Sequence, residues 1–287
     1  MKSCPFQEKY VNLHRNMKTP TVTLTTDWGN QGFFAGMVKG RLHSLVEGVR
    51  VVDVTHHVEP YSVVAATFVV RHGCLGFPEG TVHIVDVASN PEGEHPFVAL
   101  KVRGQYFLCC DNGLPSMAFG EEVEAAVSLP MQENRAYNFA AYSLFTVAAA
   151  KLLHGVPLEE LGPRVESLRQ RLLPSWVRQG NEYRIPIQYI DSYGNAYLGM
   201  SFREFEELRQ GRAFVLQVRD IRITEVVRSY HWQPPQPSQP LRRPISRERD
   251  LRLTVSATGA LELAISNSFF APLFGLHINE MVLLEFK

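Results

Sequence analysis

The sequence predicts an α/β domain followed by a second, mainly β domain. Three observations lead there. Strand-like and helix-like runs alternate as far as about Pro174, the pattern of an α/β unit. Beyond it come short β-rich runs separated by turns. The chain has 287 residues, more than one average domain and enough to bury a real core.

The elements follow in order. Thr21–Thr26 (TVTLTT) is rich in β-branched residues and reads as a buried strand, ended by Asp27-Trp28-Gly29-Asn30. The apolar spacing from Phe33 to Leu45 suits a helix, with Gly48 as a stop. Val49–Val54 is a second strand, Tyr61–Val70 a second helix ending near Gly73, and Thr81–Val87 a third strand. Phe97–Val102 and Tyr106–Cys109 form a hairpin around Arg103-Gly104, and the alanine-rich run Ala140–Leu153 is a helix closed by Gly155. From Arg184 onward the strands are Ile185–Ile190, Ala213–Val218, Ile221–Val227, Leu251–Val255, Leu261–Ile265 and Met281–Phe286, with one helix at Phe202–Arg209. The proline-rich run 233–244 cannot supply a strand interior and reads as a surface loop. The division is therefore an N-terminal arm at 1–19, an α/β domain at 20–174 and a second domain at 175–287.

Composition excludes several classes. Lys+Arg and Asp+Glu are both 29, so the basic excess of a nucleic-acid coat or an anionic-membrane binder is absent. No run reaches the roughly 18 apolar residues of a membrane span, and the N-terminus lacks the apolar core of a signal peptide. Cys4, Cys74, Cys109 and Cys110 contain no C-x-x-C pair, and neighbours in a strand point to opposite faces. They read as free thiols in a reducing compartment, and a cytoplasmic location is expected.

Polar residues gather at strand ends. Asp27 follows the first strand; Asp53, Thr55, His56 and His57 close or follow the second. Asp86, Ser89 and Asn90 close or follow the third, and Asp111-Asn112 follow the hairpin. In an α/β sheet the carboxyl ends of strands face the ligand crevice, so these loops converge on a small-molecule site. No G-x-G-x-x-G, P-loop or G-x-S-x-G elbow is present. A metal-assisted hydrolase using Asp27, Asp53, His56 and Asp111 is admissible on residue types, although structural roles suit His56 and His57 better.

The words TVTLTTDWG, GMVKGRL, VVDVTHHVEPYSVVAAT, FPEGTVHIVDV, QYFLCCDNGL, YIDSYGNA and LELAISNSFFAPLFGL occur in that order between Thr21 and Lys287. The ordered set resembles the S-adenosyl-L-methionine hydroxide adenosyltransferase family, which includes the fluorinase and chlorinase enzymes. The resemblance implies an α/β N-terminal domain with a central sheet flanked by helices, plus a smaller C-terminal β-barrel-like domain. It implies a homotrimer with each site between one subunit's N-terminal domain and its neighbour's C-terminal domain. It further implies hydrolysis of S-adenosyl-L-methionine to adenosine and L-methionine, with neither metal nor organic cofactor. By the same resemblance Asp27 receives the ribose diol, Tyr61 packs near the sugar and methionyl chain, and Phe139 is a further substrate-binding residue. Asp191 lies near the methionine amino group, and Tyr193 and Asn195 stack on and read the adenine.

The chain also departs from the family pattern. The family's Asp-Pro-Gly-Val-Gly segment with its following arginines is here Asp86-Val87-Ala88-Ser89-Asn90-Pro91-Glu92-Gly93-Glu94-His95. The family's Phe-His-Gly-Arg-Asp is Phe139-Ala140-Ala141-Tyr142-Ser143, and its Asn-x-Gly is Ser266-Asn267-Ser268. Alanine cannot position a water by hydrogen bonding. Two expectations follow: a hydrolase in which Asp86 orients the water, or a non-catalytic binder of S-adenosyl-L-methionine or adenosine on the same scaffold.

Overall fold

The computed structural model describes residues 19–90, 92–93, 96–131, 139–227, 251–266 and 268–287. Nearly all of the N-terminal arm, the proline-rich run 233–244, His95 and Asn267 lie outside them. The chain divides between Arg171 and Leu172 into two compact units.

The first unit holds a six-stranded sheet of β1 (Thr21–Thr26), β2 (Arg50–Thr55), β3 (Val82–Asp86), β4 (Phe97–Val102), β5 (Gln105–Cys110) and β6 (Val123–Ser128), ordered β2-β1-β3-β5-β4-β6. The first four in that order run parallel; β4 is antiparallel to both β5 and β6. Alternation along the strands sets two cores. Val22, Leu24, Val82, Ile84, Leu108 and Cys110 face α1 (Phe34–Leu45) and α4 (Thr146–Leu153). On the other face, which carries Cys109, Thr25 reaches Cys74 at the end of α2 (Val63–Gly73), and Phe107 packs on Phe119 of α3 (Leu114–Phe119). His83 on that face is held by Thr23 and Gln105. Burial lowers it to about 4, so it is a neutral core residue.

The chain goes from β1 to β2 on one side and then to β3 on the other. That reversal opens a crevice at the carboxyl ends of β1 and β3, where Asp27 and Asp86 stand.

Three local expectations need correction. The second helix starts at Val63, not Tyr61: Tyr61 has φ 63°, and Ser62 caps the helix by accepting the Ala65 N–H at 3.3 Å. The run 140–153 opens with a π-helical turn at Ala141–Phe145 before α4 begins. Strand β6 (VEAAVS) was not expected, because Ala and Glu are poor strand formers; pairing with β4 overrides that preference.

The second unit is a nine-stranded sheet. Its strands are β7 (Val177–Gln179), β8 (Glu182–Ile190), β9 (Ala196–Ser201), β10 (Phe214–Val218), β11 (Ile221–Ile223), β12 (Val226–Val227), β13 (Leu251–Val255), β14 (Ala260–Ile265) and β15 (Met281–Phe286). The order is β11-β10-β15-β8-β9-β14-β13-β12, with β7 also on β8. The two end strands, β11 and β12, are joined only by Thr224 and Glu225. Three Cα steps span at most about 11 Å, so the sheet must curl until its ends nearly meet. This is the barrel-like shape, and it splits the expected single strand Ile221–Val227 in two.

Strand β9 was also unexpected. Its Gly199 is required by space, since a Cβ there would lie 2.9 Å from both Gln188 and Pro186 of β8. Helix α5 (Phe202–Arg209) starts with a capping box between Ser201 and Glu204 and drives Phe205 onto Phe214 at 5.0 Å. Phe205 is fully buried. Phe205→Ala is expected to cost about 3–5 kcal/mol, read as a lower urea midpoint. An unchanged midpoint would show that α5 does not seal this core.

Candidate active site

The sheet places Asp27 and Asp86 on adjoining strand ends, with Thr26 and Asp86 paired in register. Asp27 Oδ2 accepts the N–H of Tyr61 at 3.1 Å and that of Ala88 at 3.3 Å. Both donors are non-glycine residues with positive φ, 63° and 49°, a costly conformation outside glycine. One carboxylate oxygen therefore holds two strained turns, those after β2 and after β3. Asn112 braces the second turn, donating from its side chain to the carbonyls of Val87 and Ala88.

Asp86 sits deeper, 5% exposed. Trp28 Nε1 donates to its Oδ2 at 2.9 Å. Its Oδ1 and the nearby Ser89 hydroxyl are buried with no hydrogen bond of proper geometry. Burial pushes the carboxyl up to about 6; Ser89 and Trp28 pull it partly back, and the charge of Asp27 raises it again. A buried, half-paired carboxylate is costly unless something donates to the free oxygen.

An aromatic wall stands beside Asp86. Phe139 meets Trp28 edge-on at 4.9 Å and Phe34 at 5.2 Å, and His56 stacks on Trp28 at 5.8 Å. His56 is tied to Thr26 at 2.8 Å and faces Asp53 at 3.2 Å, while Asp53 also binds Lys39. These contacts give His56 a structural place. Ala140, at the family histidine position, is buried. Among the described residues no group of three or more His, Cys, Asp or Glu side chains is arranged to hold a metal.

A cavity of about 490 Å³ is lined by the two turns that Asp27 holds, although Asp27 itself is not on its wall. Tyr61, Ala88, Asn90, Glu92, Asn112 and Cys110 are on its wall. Burial pushes the Cys110 thiol up to about 12, so it is no nucleophile at neutral pH. Tyr61 is 77% exposed, a surface aromatic rather than a core one.

In the second unit, Asp191, Tyr193 and Asn195 share one tight loop. Asp191 accepts the N–H groups of Tyr193 and Asn195 at 2.9 and 2.8 Å, the Asn195 side-chain amide at 3.1 Å and the Tyr197 hydroxyl at 3.3 Å. The loop rests on α6 (Phe270–Phe274), where Ala271 donates to the Gly194 carbonyl. Gly194 has φ +75°, and a Cβ there would lie 3.2 Å from Phe269 Cα. Tyr193 in this loop is 72% exposed, and Phe269, which packs on Gly194, is 60% exposed.

The residues thus form two sets: Asp27, Tyr61, Asp86 and Phe139 in the first unit, and Asp191, Tyr193 and Asn195 in the second. Sequence reasoning missed Trp28 as the partner of Asp86. Its one signal was the donor-bearing indole directly after Asp27.

Comparison with known proteins supplies the identity. The N-terminal domain profile of the SAM hydroxide adenosyltransferases matches residues 22–162, and the C-terminal domain profile matches residues 185–283. The chain belongs to the SAM hydroxide adenosyltransferase family. Among relatives, the (R)-S-adenosyl-L-methionine hydrolase of Salinispora tropica is 31% identical over 199 residues, covering 66% of this chain and 76% of that protein. The enzyme of the same name from Thermus thermophilus is 28% identical over 187 residues, covering 61% and 72%. An uncharacterized conserved protein from Thermotoga maritima has the same fold, with a TM-score of 0.76 at 21% identity over 92% of this chain and 99% of that one. In this SAM hydroxide adenosyltransferase Trp28 is the hydrogen-bond partner of Asp86. No helix among the described residues is long and apolar enough to cross a membrane.

Proposed function

We propose that this protein hydrolyses S-adenosyl-L-methionine to adenosine and L-methionine. Water oxygen attacks the ribose C5′, the C5′–S bond breaks, and the sulfonium sulfur keeps the bonding electron pair as the neutral thioether of methionine. The proton lost by the water passes to a carboxylate and then to solvent. A sulfonium leaves without protonation, so the chemistry requires positioning more than acid strength, and neither metal nor organic cofactor is needed.

The observation that carries this reading is the pair of unlike carboxylates at the ends of β1 and β3. Asp27, partly open and holding two turns of the cavity wall, takes the ribose diol; Asp86, buried with Oδ1 unpartnered, takes a hydrogen bond from the attacking water. Phe139 and Tyr61 wall the sugar and the methionyl chain. Tyr193 stacks on adenine, and Asn195 reads it from a loop whose Asp191 adds negative charge for a cationic ligand. Relatives named as hydrolases favour turnover over binding alone.

The test is incubation with S-adenosyl-L-methionine, following adenosine and methionine by chromatography. Equimolar products are expected. No adenosine above a heat-killed control would sink the proposal.

The two residue sets lie on different units, and exposed Tyr61, Tyr193 and Phe269 suit burial by another copy. The expected assembly is a homotrimer with each site shared between neighbouring subunits. Sedimentation equilibrium should give three times the chain mass, and a monomer at active concentrations would refute it. The buried free thiols of Cys74, Cys109 and Cys110 suit a reducing compartment such as the cytoplasm.

A further inference from the structure

Leu168–Arg171 has no regular secondary structure and runs over the surface of the first unit. It is nevertheless pinned. Asp111, itself buried, accepts the Arg169 N–H with both carboxylate oxygens, at 3.1 and 2.9 Å. Ser116 Oγ donates to the Arg169 carbonyl at 2.9 Å and accepts the Arg171 N–H at 3.0 Å.

The Arg171 side chain crosses Gly113. A Cβ at Gly113 would lie 2.2 Å from Arg171 Cδ and 2.5 Å from Cγ, and Gly113 has φ +96°. Only glycine allows both that backbone and that crossing. Tertiary hydrogen bonds and a glycine thus fix a strap that has no ladder or helix to hold it.

Arg169 and Arg171 both reach the cavity lined by the turns that Asp27 holds, sharing its wall with Tyr61, Ala88, Asn112 and Glu92. Neither guanidinium has a carboxylate at ion-pair distance among the described residues. Two guanidiniums carried to one cavity by an anchored backbone call for an anion. The wall also carries the carboxylates of Glu92 and Asp111, which would oppose a phosphate dianion. A carboxylate accompanied by an ammonium group suits a wall of both signs.

We propose that Arg169 and Arg171 are specificity-determining residues that bind the α-carboxylate at the amino-acid end of the substrate. This rests on the hydrolase reading above. The strap supplies, from a distant part of the chain, a positive charge that the loop after β3 lacks.

Calorimetry tests it on the full-length protein. One probe is S-adenosyl-L-homocysteine, a thioether that keeps the amino-acid end but has no sulfonium to lose; the other is adenosine, which has no carboxylate. In the Arg169→Gln/Arg171→Gln variant, affinity for the thioether should fall by about 30-fold or more, as expected for lost charge-assisted bonds. Adenosine affinity should stay within about twofold, because its contacts lie elsewhere; the strap's backbone bonds to Asp111 and Ser116 remain, and only the long 3.4 Å bond from Arg171 Nη1 to the Asn112 carbonyl is lost. The Arg169→Lys/Arg171→Lys variant should recover part of the loss, since charge returns without the planar fork. Unchanged thioether affinity in the glutamine variant overturns the proposal, as does equal loss of both ligands, which would mark the strap as structural. A wild-type protein that binds adenosine while the thioether ignores the arginines defeats this proposal alone. A folded wild-type protein that binds neither ligand defeats the parent reading as well.

Discussion

Asp86→Asn is expected to lower kcat for S-adenosyl-L-methionine by roughly 10²–10³-fold, the range for a lost proton-accepting or water-positioning group. Adenosine affinity should hardly change, because Asp86 is buried and is not on the cavity wall. The amide keeps the shape of the carboxyl and can still accept from Trp28. It places a donor, or a neutral acceptor, where the water needs an anionic one.

The pH profile sharpens the test. Burial holds the wild-type carboxyl at about 6, so kcat/KM should rise about tenfold per pH unit below that value and level off above it. Trp28→Phe removes a donor that stabilises the ionised form, and should move the rising limb to higher pH. The Asp86→Asn variant should lack the limb.

Stability runs the other way. The folded-state value lies above the ordinary 3.8, so the fold binds this proton more tightly than the unfolded chain does. The stabilisation is fully present below about pH 3.8 and is lost as pH rises through 6. The gap corresponds to about 3 kcal/mol. Asp86→Asn should therefore be as stable as wild type or more stable at pH 7.5, yet nearly inactive. A variant with normal kcat and an intact rising limb would remove Asp86 from the chemistry.

Asp27→Ala should abolish measurable binding of adenosine, weakening it by roughly 10²–10³-fold through loss of charge-assisted bonds to two hydroxyls. Part of the effect is architectural. Oδ2 of Asp27 also holds the Tyr61 and Ala88 N–H groups, and without it two left-handed turns lose their common acceptor. Asp27→Asn separates the two roles, since an amide oxygen can retain the turns but loses the anionic grip on the diol. The decisive comparison uses 2′-deoxyadenosine. It should bind the wild type at least about tenfold more weakly than adenosine does, as expected for one lost charge-assisted bond. In Asp27→Asn the two ligands should bind nearly alike. A full preference for adenosine in that variant would place the diol elsewhere.

Much of this was legible from local chemistry. TVTLTT, VHIVD and QYFLCC are strands because β-branched and apolar residues fill both faces of a parallel sheet, and a run buried on both sides needs no alternation to be recognised. Asp27 stood out because a carboxylate directly after such a strand faces the crevice wherever the strand order reverses. Asp191, Tyr193 and Asn195 stayed together because one tight turn joins them. The failures have an equally physical cause. VEAAVS is a strand by virtue of its neighbour β4, and Tyr61 leaves its helix because Asp27 fixes its N–H.

By itself, then, the sequence determined the α/β and β-rich units, the strand-end acids and the family, all of which depend on residues close along the chain or on motifs kept in order. Only the tertiary structure decided that Trp28 clamps Asp86, 58 residues away, and that Asp111 and Ser116 draw Arg169 and Arg171 to the cavity. The curling of the second sheet until Thr224 and Glu225 bridge its end strands belongs there too. Those pairings join residues far apart along the chain, and a sequence pattern carries no distance between them until the sheet register and the packed loops have set it.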